Sequence, residues 1–560
     1  MQKPIIVQGD GTVLLEVDNP LYSDARDFLG LFAHLDKSPE YMHTYKITNL
    51  SLWNAAALGI DPEEIIKRLR EYSKFPVSAG IEANIKEIMS RFGKLELRRA
   101  DGGIYLYSED PDLLSQLVKH PRLTGLFEGK GEYGFKVSEI KRGKLKQALI
   151  DIGYPVRDNA GFTEGEEYKI RLRDKTSEGR DFTIRKYQED AVFSFLGNPS
   201  MPGGNGVIVL PCGAGKTIVG IKAMEMLSRK TLILVTNITA ARQWKREIID
   251  KTDICPGIIE EYSGEHKGIG PVTIATYQIL TYRRKKSEKF KHFDIFNKED
   301  WGLIIYDEVH LLPAPVFQYT AEIQSRRRLG LTATLVREDG HEKDVFALIG
   351  PKKYDVPWKD LENQGWIAKA KCIEVRVDLP VKIKTQMVSE PVRKQLRIAY
   401  ENPKKADIVQ SIVENRHEQD RILIFGQYIS QVESLGKKLN IPVITGSTNN
   451  ERRDELFNGF RKGEVPVLVL SKVGNFAVDL PDANVAVQVS GAFGSRQEEA
   501  QRLGRLLRPE GRDKQALYYS IVTRESKELD FAMKRQLFLA EQGYKYEIRY
   551  YQDGKMSDSG

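Results

Sequence analysis

The segment Leu210-Pro211-Cys212-Gly213-Ala214-Gly215-Lys216-Thr217 has the residue types needed to hold a chain of phosphates. It follows the apolar run GVIVL (206–210) and opens a helix-forming stretch, TIVGIKAMEMLSR. Backbone N–H groups at such a strand-to-helix turn can ring a phosphate, and the helix N-terminus favours negative charge. Gly213 and Gly215, flanking Ala214, let the backbone approach an anion with no Cβ in the way. Lys216 is placed to reach β- and γ-phosphates, and Thr217 to give its hydroxyl to Mg²⁺. The strict pattern begins with glycine, where Leu210 stands here, so the loop is a variant form. A glycine-rich turn without a ligand is the competing explanation. The strand before, the helix after and a matching acidic motif argue against it.

That motif is Asp307-Glu308-Val309-His310, closing the apolar run LIIYD about 90 residues after the loop. Ligands of open α/β sheets bind outside the carboxyl ends of strands. Asp307 is then placed to hold Mg²⁺, and Glu308 to orient or deprotonate an attacking water. Simple capping of the next helix would also use such acids, but the spacing suits one lobe supplying both parts. A third signal is QRLGRLLR (501–508). On a helix Gln501, Arg505 and Arg508 fall at i, i+4 and i+7 and share a face. Two arginines there can clamp a γ-phosphate in its transition state, and Gly504 lets another backbone come close. The alternative is a solvated basic face.

The elements that must position these groups are short β-branched runs alternating with helical stretches. GVIVL, TLILV (231–235), VTIAT (272–276), LIIYD (303–307) and RLGLTAT (328–334) form one set. RILIF (421–425), IPVIT (441–445), VPVLVL (465–470) and NVAVQV (484–489) form a second. Strands alternating with crossover helices imply parallel sheets covered on both faces. The fold class is therefore α/β, with two parallel-sheet lobes in tandem over 181–350 and 351–552. Triphosphate bound by one lobe and arginines supplied by the other would couple hydrolysis to opening and closing of the cleft. Residues 1–105 read as a small N-terminal α+β module. Its helical stretches are followed by KLELRR and IYLYS around the turn Asp101-Gly102-Gly103, a hairpin signal that suggests a winged helix. Residues 106–180 form a second α+β region, ending in the polar run Glu164 to Arg180, which reads as a linker. Residues 553–560 are a short polar tail.

Composition narrows the partners only a little. The chain has 560 residues, 41% hydrophobic and 29% charged, with a net charge of +7. That is ordinary for a soluble multidomain protein, and the basic excess suits a polyanion without requiring one. Cys212, Cys255 and Cys372 lie far apart, which argues against a zinc site or disulfide frame and for a reducing, cytoplasmic setting. The N-terminus has no signal-peptide pattern, and no apolar run approaches membrane-spanning length.

In order and type these motifs resemble the superfamily-two helicases. LGLTATLVREDG (329–340), SKVGNFAVDLP (471–481), AMKRQLFLAEQGYKY (532–546) and KSPEYMHTYKITNLSLWNAA (37–56) sharpen the likeness to the XPB-type DNA repair helicases, in a compact prokaryotic form. The resemblance covers nearly the whole chain. It implies two RecA-like lobes, a damage-recognition-like region at 106–180, and an ATP- and Mg²⁺-dependent DNA helicase moving 3′ to 5′. It places Arg185 and Gln188 at the adenine. It assigns Thr332 and Thr334 to coupling hydrolysis with lobe motion, and Gly474 and Asp479 to the lobe interface near ribose and DNA. Arg337, Glu338 and Asp339 match an Arg-Glu-Asp element implicated in strand separation, and the basic segment 381–397 matches a thumb-like insertion in position. The family often works with a nuclease or within a repair or transcription assembly.

A motor on a strand must hold phosphates, which repeat regardless of sequence. Thr236, Asn237 and Thr276 follow strand ends in the first lobe, and Thr445, Gly446 and Ser471 take equivalent places in the second. All six are expected at the DNA backbone. The basic run Arg283 to Lys286 reads as solvated surface. Trp53, Trp244, Trp301, Trp358 and Trp366 read as core or interface residues rather than base-stacking platforms. RNA remodelling and an ATP-gated clamp without turnover are the competing functions. Phosphate contacts do not distinguish the sugars, whereas the presence of Lys216, Glu308, Arg505 and Arg508 weighs against the clamp.

Overall fold

The structure is a computed structural model. It describes residues 3–198, 201–283, 290–324, 326–335, 342–471, 483–491, 502–504, 515–552 and 554–558. The chain divides into two units. The first comprises Met1–His34, Tyr45–Leu210 and Gly215–Asp355, and the second Leu35–Thr44, Pro211–Ala214 and Val356–Gly560.

In the first unit the β-branched runs form a seven-stranded, all-parallel sheet among the described residues. Its strands are β1 (Asn205–Val209), β2 (Thr231–Val235), β3 (Ile259–Tyr262), β4 (Val272–Thr276), β5 (Leu303–Asp307), β6 (Arg327–Thr332) and β7 (Lys352–Asp355). Their spatial order is β3-β4-β2-β5-β6-β1-β7. Val207, Ile208, Leu232, Ile233, Leu234, Leu303, Ile304 and Ile305 are wholly buried. Both sheet faces are covered, which is why these strands read as unbroken apolar runs. Helices α1 (Lys186–Leu196), α2 (Lys216–Leu227) and α3 (Ile238–Lys251) belong to this lobe.

The second unit repeats the architecture. Strands β8 (Ala370–Val377), β9 (Ile422–Phe425), β10 (Val443–Ile444), β11 (Val467–Leu470), β12 (Val485–Gln488), β13 (Ala516–Thr523), β14 (Tyr546–Gln552) and β15 (Lys555–Asp558) lie in the order β10-β11-β9-β12-β13-β8-β14-β15. All pair in parallel except β14 with β15. The basic segment 381–397 forms two helices, Val381–Val388 and Val392–Tyr400, broken at Pro391, whose missing N–H and ring disfavour helix continuation.

The α/β fold with small α+β modules in front is as the sequence implies. One placement differs. The hairpin Leu95–Ala100 with Gly103–Tyr107 is not a wing of the N-terminal helices. It lies within a five-stranded sheet with Phe127–Gly131, Gly134–Val137 and Val156–Asp158. Alternation along Leu95, Leu97, Ile104 and Leu106 shows that a face is buried, not against what; here it packs on Leu114, Leu117, Leu145 and Leu149.

This middle region is tied to the seven-stranded sheet by buried charge. Arg142 Nη2 meets Asp158 Oδ1 at 2.6 Å and Lys146 Nζ meets Oδ2 at 3.0 Å. Lys146 Nζ also donates to Gln324 Oε1 at 3.0 Å, while Arg328 donates to the Leu348 carbonyl at 2.7 Å. A Cβ on Gly143 would stand 2.3 Å from the Ala321 carbonyl oxygen, so only glycine allows this helix so close. The polar run from Glu164 to Arg180 follows the lobe through bridges such as Glu167 to Arg229 and Leu172 to Thr252.

Candidate active site

The loop after β1 has the backbone its glycines allow. Gly213 and Gly215 both have φ of +83°, a left-handed conformation that costs glycine nothing and other residues about 1–2 kcal/mol. A Cβ on Gly215 would stand 2.5 Å from Gln188 Nε2, so the Gln188 amide lies against the loop. Gln188 is buried, and its Oε1 accepts the Arg185 N–H at 3.0 Å, closing the start of α1. Arg185 Nη1 donates to the Tyr187 hydroxyl at 3.1 Å. Helix α2 begins at Lys216 directly behind the loop, and the N–H groups of its first turn lack intrahelical acceptors. Thr217 is half-buried on that turn. Leu210 donates its N–H to the Thr332 carbonyl at 3.0 Å, so the loop starts from a fixed point on β6.

The acids stand across from the lysine. Lys216 Nζ lies 3.7 Å from Glu308 Oε1, both side chains largely buried. Asp307 ends β5, and every oxygen it carries has a donor. Its Oδ2 accepts from Trp244 Nε1 at 2.8 Å, its Oδ1 from the Glu308 N–H at 3.0 Å, and its carbonyl from the Tyr277 hydroxyl at 2.9 Å. Burial, then the neighbouring Glu308 charge, push the Asp307 carboxyl up to about 6, against the pull of Trp244 and Lys216. Two crowded carboxylates beside a lysine make an oxygen donor pair with an adjacent cation. That chemistry fits a hard divalent ion carried with a polyphosphate. Glu308 has φ +48° and ψ +53°. A left-handed non-glycine residue stores backbone strain, a feature that clusters at functional sites.

A polar chain leads away from the acids. Buried His310 lies with Nδ1 3.5 Å from Glu308 Oε2 and 2.7 Å from Thr332 Oγ1. The Thr332 hydroxyl donates to the Thr334 carbonyl at 2.6 Å and accepts the Thr334 N–H at 3.2 Å. With its proton directed to Thr334, Thr332 accepts from His310, which fixes the tautomer protonated at Nδ1.

The carboxyl edge of the first sheet also gathers the residues expected at a nucleic-acid backbone. Parallel register sets Val235 opposite Thr276, so Thr236, Asn237 and Thr276 share that edge with Asp307. Two of them have local duties. Asn237 Oδ1 caps α3 through the Ala240 N–H at 3.0 Å, and Thr276 Oγ1 caps the helix Tyr277–Leu280 through the Ile279 N–H at 3.3 Å. Thr276 is buried, while Thr236 and Asn237 are half-buried. In the second unit Ile444 pairs with Leu470, bringing Thr445 and Ser471 side by side beyond the strand ends, with exposed Gly446 next to them. The Thr445 and Ser447 hydroxyls lie 2.8 Å apart.

Of the remaining sequence-derived site residues, Gln501, Arg505, Arg508, Gly474, Asp479, Arg337, Glu338 and Asp339 lie outside the described residues, as do Arg284, Lys285 and Lys286 of the basic run. Between Gln501 and Arg505, Gly504 is described. A Cβ on it would stand 2.1 Å from Cys212 Cβ within the second unit, so the atom that comes closest to this glycine belongs to a side chain and not to a backbone. Two residues at the site were given no role by the sequence. Trp244, read as core, is indeed buried but hands its indole N–H to Asp307. His310 stands in the acidic motif without a role that spacing could assign. The five other aromatic or basic expectations are simpler: Trp53, Trp301 and Trp358 are buried, Trp366 is 37% exposed, and Arg283 packs over Phe290.

No disulfide joins Cys212, Cys255 and Cys372, and no helix among the described residues is long and apolar enough to cross a membrane. The family description "ERCC3/RAD25/XPB C-terminal helicase" matches residues 361–558, "Type III restriction enzyme, res subunit" residues 181–337, and "Helicase conserved C-terminal domain" residues 5–128. The DNA 3'-5' helicase XPB of Mycobacterium tuberculosis is 50% identical, covering 98% of this chain and 97% of the relative. Its namesake from Kineococcus radiotolerans is 48% identical over 97% and 96% of the two chains. The general transcription and DNA repair factor IIH helicase/translocase subunit XPB of Encephalitozoon cuniculi is 34% identical, over 97% of this chain and 82% of that one. Identity of this depth along almost the entire length leaves one assignment: the chain belongs to the XPB family of helicases.

Proposed function

We propose that this chain is an ATP-dependent DNA helicase or translocase that moves 3′ to 5′, acts in DNA repair in the cytoplasm, and uses Mg²⁺. The observation that carries the reading is the convergence of Lys216 on Glu308 at 3.7 Å, beside an Asp307 anchored by three donors. In this reading Gly213, Ala214, Gly215 and Lys216 hold the phosphates, Thr217 and Asp307 hold the Mg²⁺, and Arg185 and Gln188 face the adenine. The ion would neutralise charge on the phosphates. Glu308 orients the attacking water and takes its proton. Loss of the γ-phosphate then changes what Glu308 touches, and His310, Thr332 and Thr334 give that change a hydrogen-bonded route to β6. Arg505 and Arg508 complete the phosphate site, and Gln501, Gly474 and Asp479 border it. Thr236, Asn237, Thr276, Thr445, Gly446 and Ser471 take the DNA backbone, with Arg337, Glu338 and Asp339 at the point of strand separation. A nuclease or a larger repair or transcription assembly is the partner this role calls for.

Lys216→Ala should abolish DNA-stimulated ATP hydrolysis, whereas Glu308→Gln should still bind ATP but stall. Full turnover in either variant ends the assignment. Forked DNA with a 3′ tail should open in an ATP-dependent manner and its 5′-tailed counterpart should not; the reverse preference would refute the polarity.

A further inference from the structure

A cavity of about 600 Å³ lies in the first unit, far from the phosphate loop. It opens where the helix Asn49–Ala57, the strand Val156–Asp158, α1 and β7 meet. Asn205, which starts β1, lines it, whereas the phosphate loop follows the other end of that strand. Five strand residues separate the two by roughly 15 Å.

Its lining is selective. Arg157 and Lys353 both line the cavity, and among the described residues neither side chain has a carboxylate partner or a hydrogen bond. Lys146 and Asp158 also line it, but Asp158 is held by Arg142 and Lys146. Half-buried Lys353 therefore stands at the wall with exposed Arg157 near enough to repel it and no carboxylate to offset the pair, an arrangement that an anion would relieve. The backbone is shaped to place one of them. Lys352 pairs with Val207 and Tyr354 with Ile208, so Lys353 is the extra residue of a β-bulge, a device that re-aims a side chain. Its stem crosses Gly206, where a Cβ would stand 2.3 Å from Lys353 Cγ. Arg157 is seated over the Phe92 ring, 5.6 Å from its centroid. Phe92, Phe193 and Phe346 add flat apolar surface, and Asn205 adds a polar edge. The volume falls within the range of small-ligand pockets, about 300–1,000 Å³.

We propose that this cavity is a second ligand site, distinct from the motor's own, which takes a phosphate-bearing small molecule of mononucleotide size. Arg157 and Lys353 receive the phosphate and the phenylalanines receive a planar base. Burial, then the nearby Arg157 charge, pull the Lys353 ammonium below its ordinary range. A bound phosphate would reverse that pull, which agrees with the assignment.

The test uses the full chain with the motor site first saturated by Mg·ADP. The probe is guanosine 5′-monophosphate carrying a methylanthraniloyl fluorophore, followed by anisotropy. One equivalent should bind despite the ADP, and pyrophosphate should displace it while guanosine does not. Arg157→Ala and Lys353→Ala should each weaken binding about tenfold or more, as expected for loss of a charged hydrogen bond. Lys353→Arg should retain it, and ADP affinity and thermal stability should stay those of the parent. Loss of probe binding at the Mg·ADP concentration that just saturates the motor site would show that the probe had entered that site, and would overturn the proposal. So would equal competition by guanosine, parental affinity in both alanine variants, or no binding into the millimolar range.

Discussion

Replacing Trp244 by phenylalanine tests whether the indole N–H, and not the bulk of the ring, sets the acid that is to hold the metal. Trp244 is 2% exposed, and its Nε1 donates to Asp307 Oδ2 at 2.8 Å. Phenylalanine keeps most of the packing but leaves that oxygen without its donor. A hydrogen bond to a charged group contributes about 1.5–3 kcal/mol, and groups that orient a metal ligand typically change metal affinity or activity about 10- to 100-fold. The variant should therefore need about 10- to 100-fold more Mg²⁺ for half-maximal ATP hydrolysis, with metal-free nucleotide binding unchanged. Loss of the second ring should lower stability by about 1–3 kcal/mol. A second variant reaches the same contact from the other side. A Cβ on Gly220 would stand 2.5 Å from Trp244 Cη2, so Gly220→Ala must push the indole toward or away from Asp307 and should shift the Mg²⁺ requirement with the N–H intact. Titrating Mg²⁺ against steady-state hydrolysis, with thermal melts as the folding control, reads both. A Trp244→Phe protein that folds and keeps the parental Mg²⁺ requirement would refute the idea that this hydrogen bond positions Asp307.

Arg505→Ala should slow hydrolysis far more than it weakens nucleotide binding. Equal losses in kcat and affinity would identify a structural arginine. Asp158→Asn leaves Arg142, Lys146 and Arg328 facing one another in the buried link between the middle region and the motor sheet. Breaking such a pair costs about 3–5 kcal/mol, read by melts and by faster amide exchange over 142–158. The pH profile separates this from generic damage. In the parent, burial raises the Asp158 carboxyl, but Arg142 and Lys146 outweigh it and hold it below the ordinary 3.8. Its stabilisation is therefore present above pH 3.8 and lost as the pH falls further. Burial pulls Lys146 from 10.5 to about 8 despite Asp158. The fold thus binds fewer protons than the unfolded chain between those values, and stability rises with pH there. Without Asp158 the Lys146 ammonium is pulled lower still. The variant should lose the acid-side dependence and regain stability already between neutral pH and pH 8; a flat profile would show that these charges do not carry the link.

How much of this was legible in the sequence follows from the range of each signal. The phosphate loop, the acids at the end of LIIYD and the alternation of strands with helices are local. Each is written within about ten residues, because backbone geometry and burial on both sheet faces act on neighbours. The hairpin at 95–107 was legible as a hairpin and not as part of its sheet. Its partners are Gly134–Val137 on one side and Val156–Asp158 on the other, and pairing across a loop leaves no periodic trace. Thr276 and Asn237 read as phosphate contacts because short polar residues after strands serve both purposes. Capping uses the side-chain oxygens only as acceptors, so it does not compete with a phosphate, which needs donors such as the Thr276 hydroxyl and the Asn237 amide N–H.

The same limit explains why Trp244 and His310 were missed. Trp244 reaches Asp307 across 63 residues and His310 reaches Thr332 across 22, contacts made only when β2, β5 and β6 lie side by side. A motif supplies the groups that touch the triphosphate, and these must be of fixed type. The groups that aim them need only a donor at the right place, which any fold can deliver from a distant segment. An acid raised to about 6 by its surroundings depends on such a donor to stay ionised near neutral pH. For that reason substitutions at unmarked positions like Trp244 should alter the chemistry more than substitutions at many of the marked polar residues along the same sheet edge.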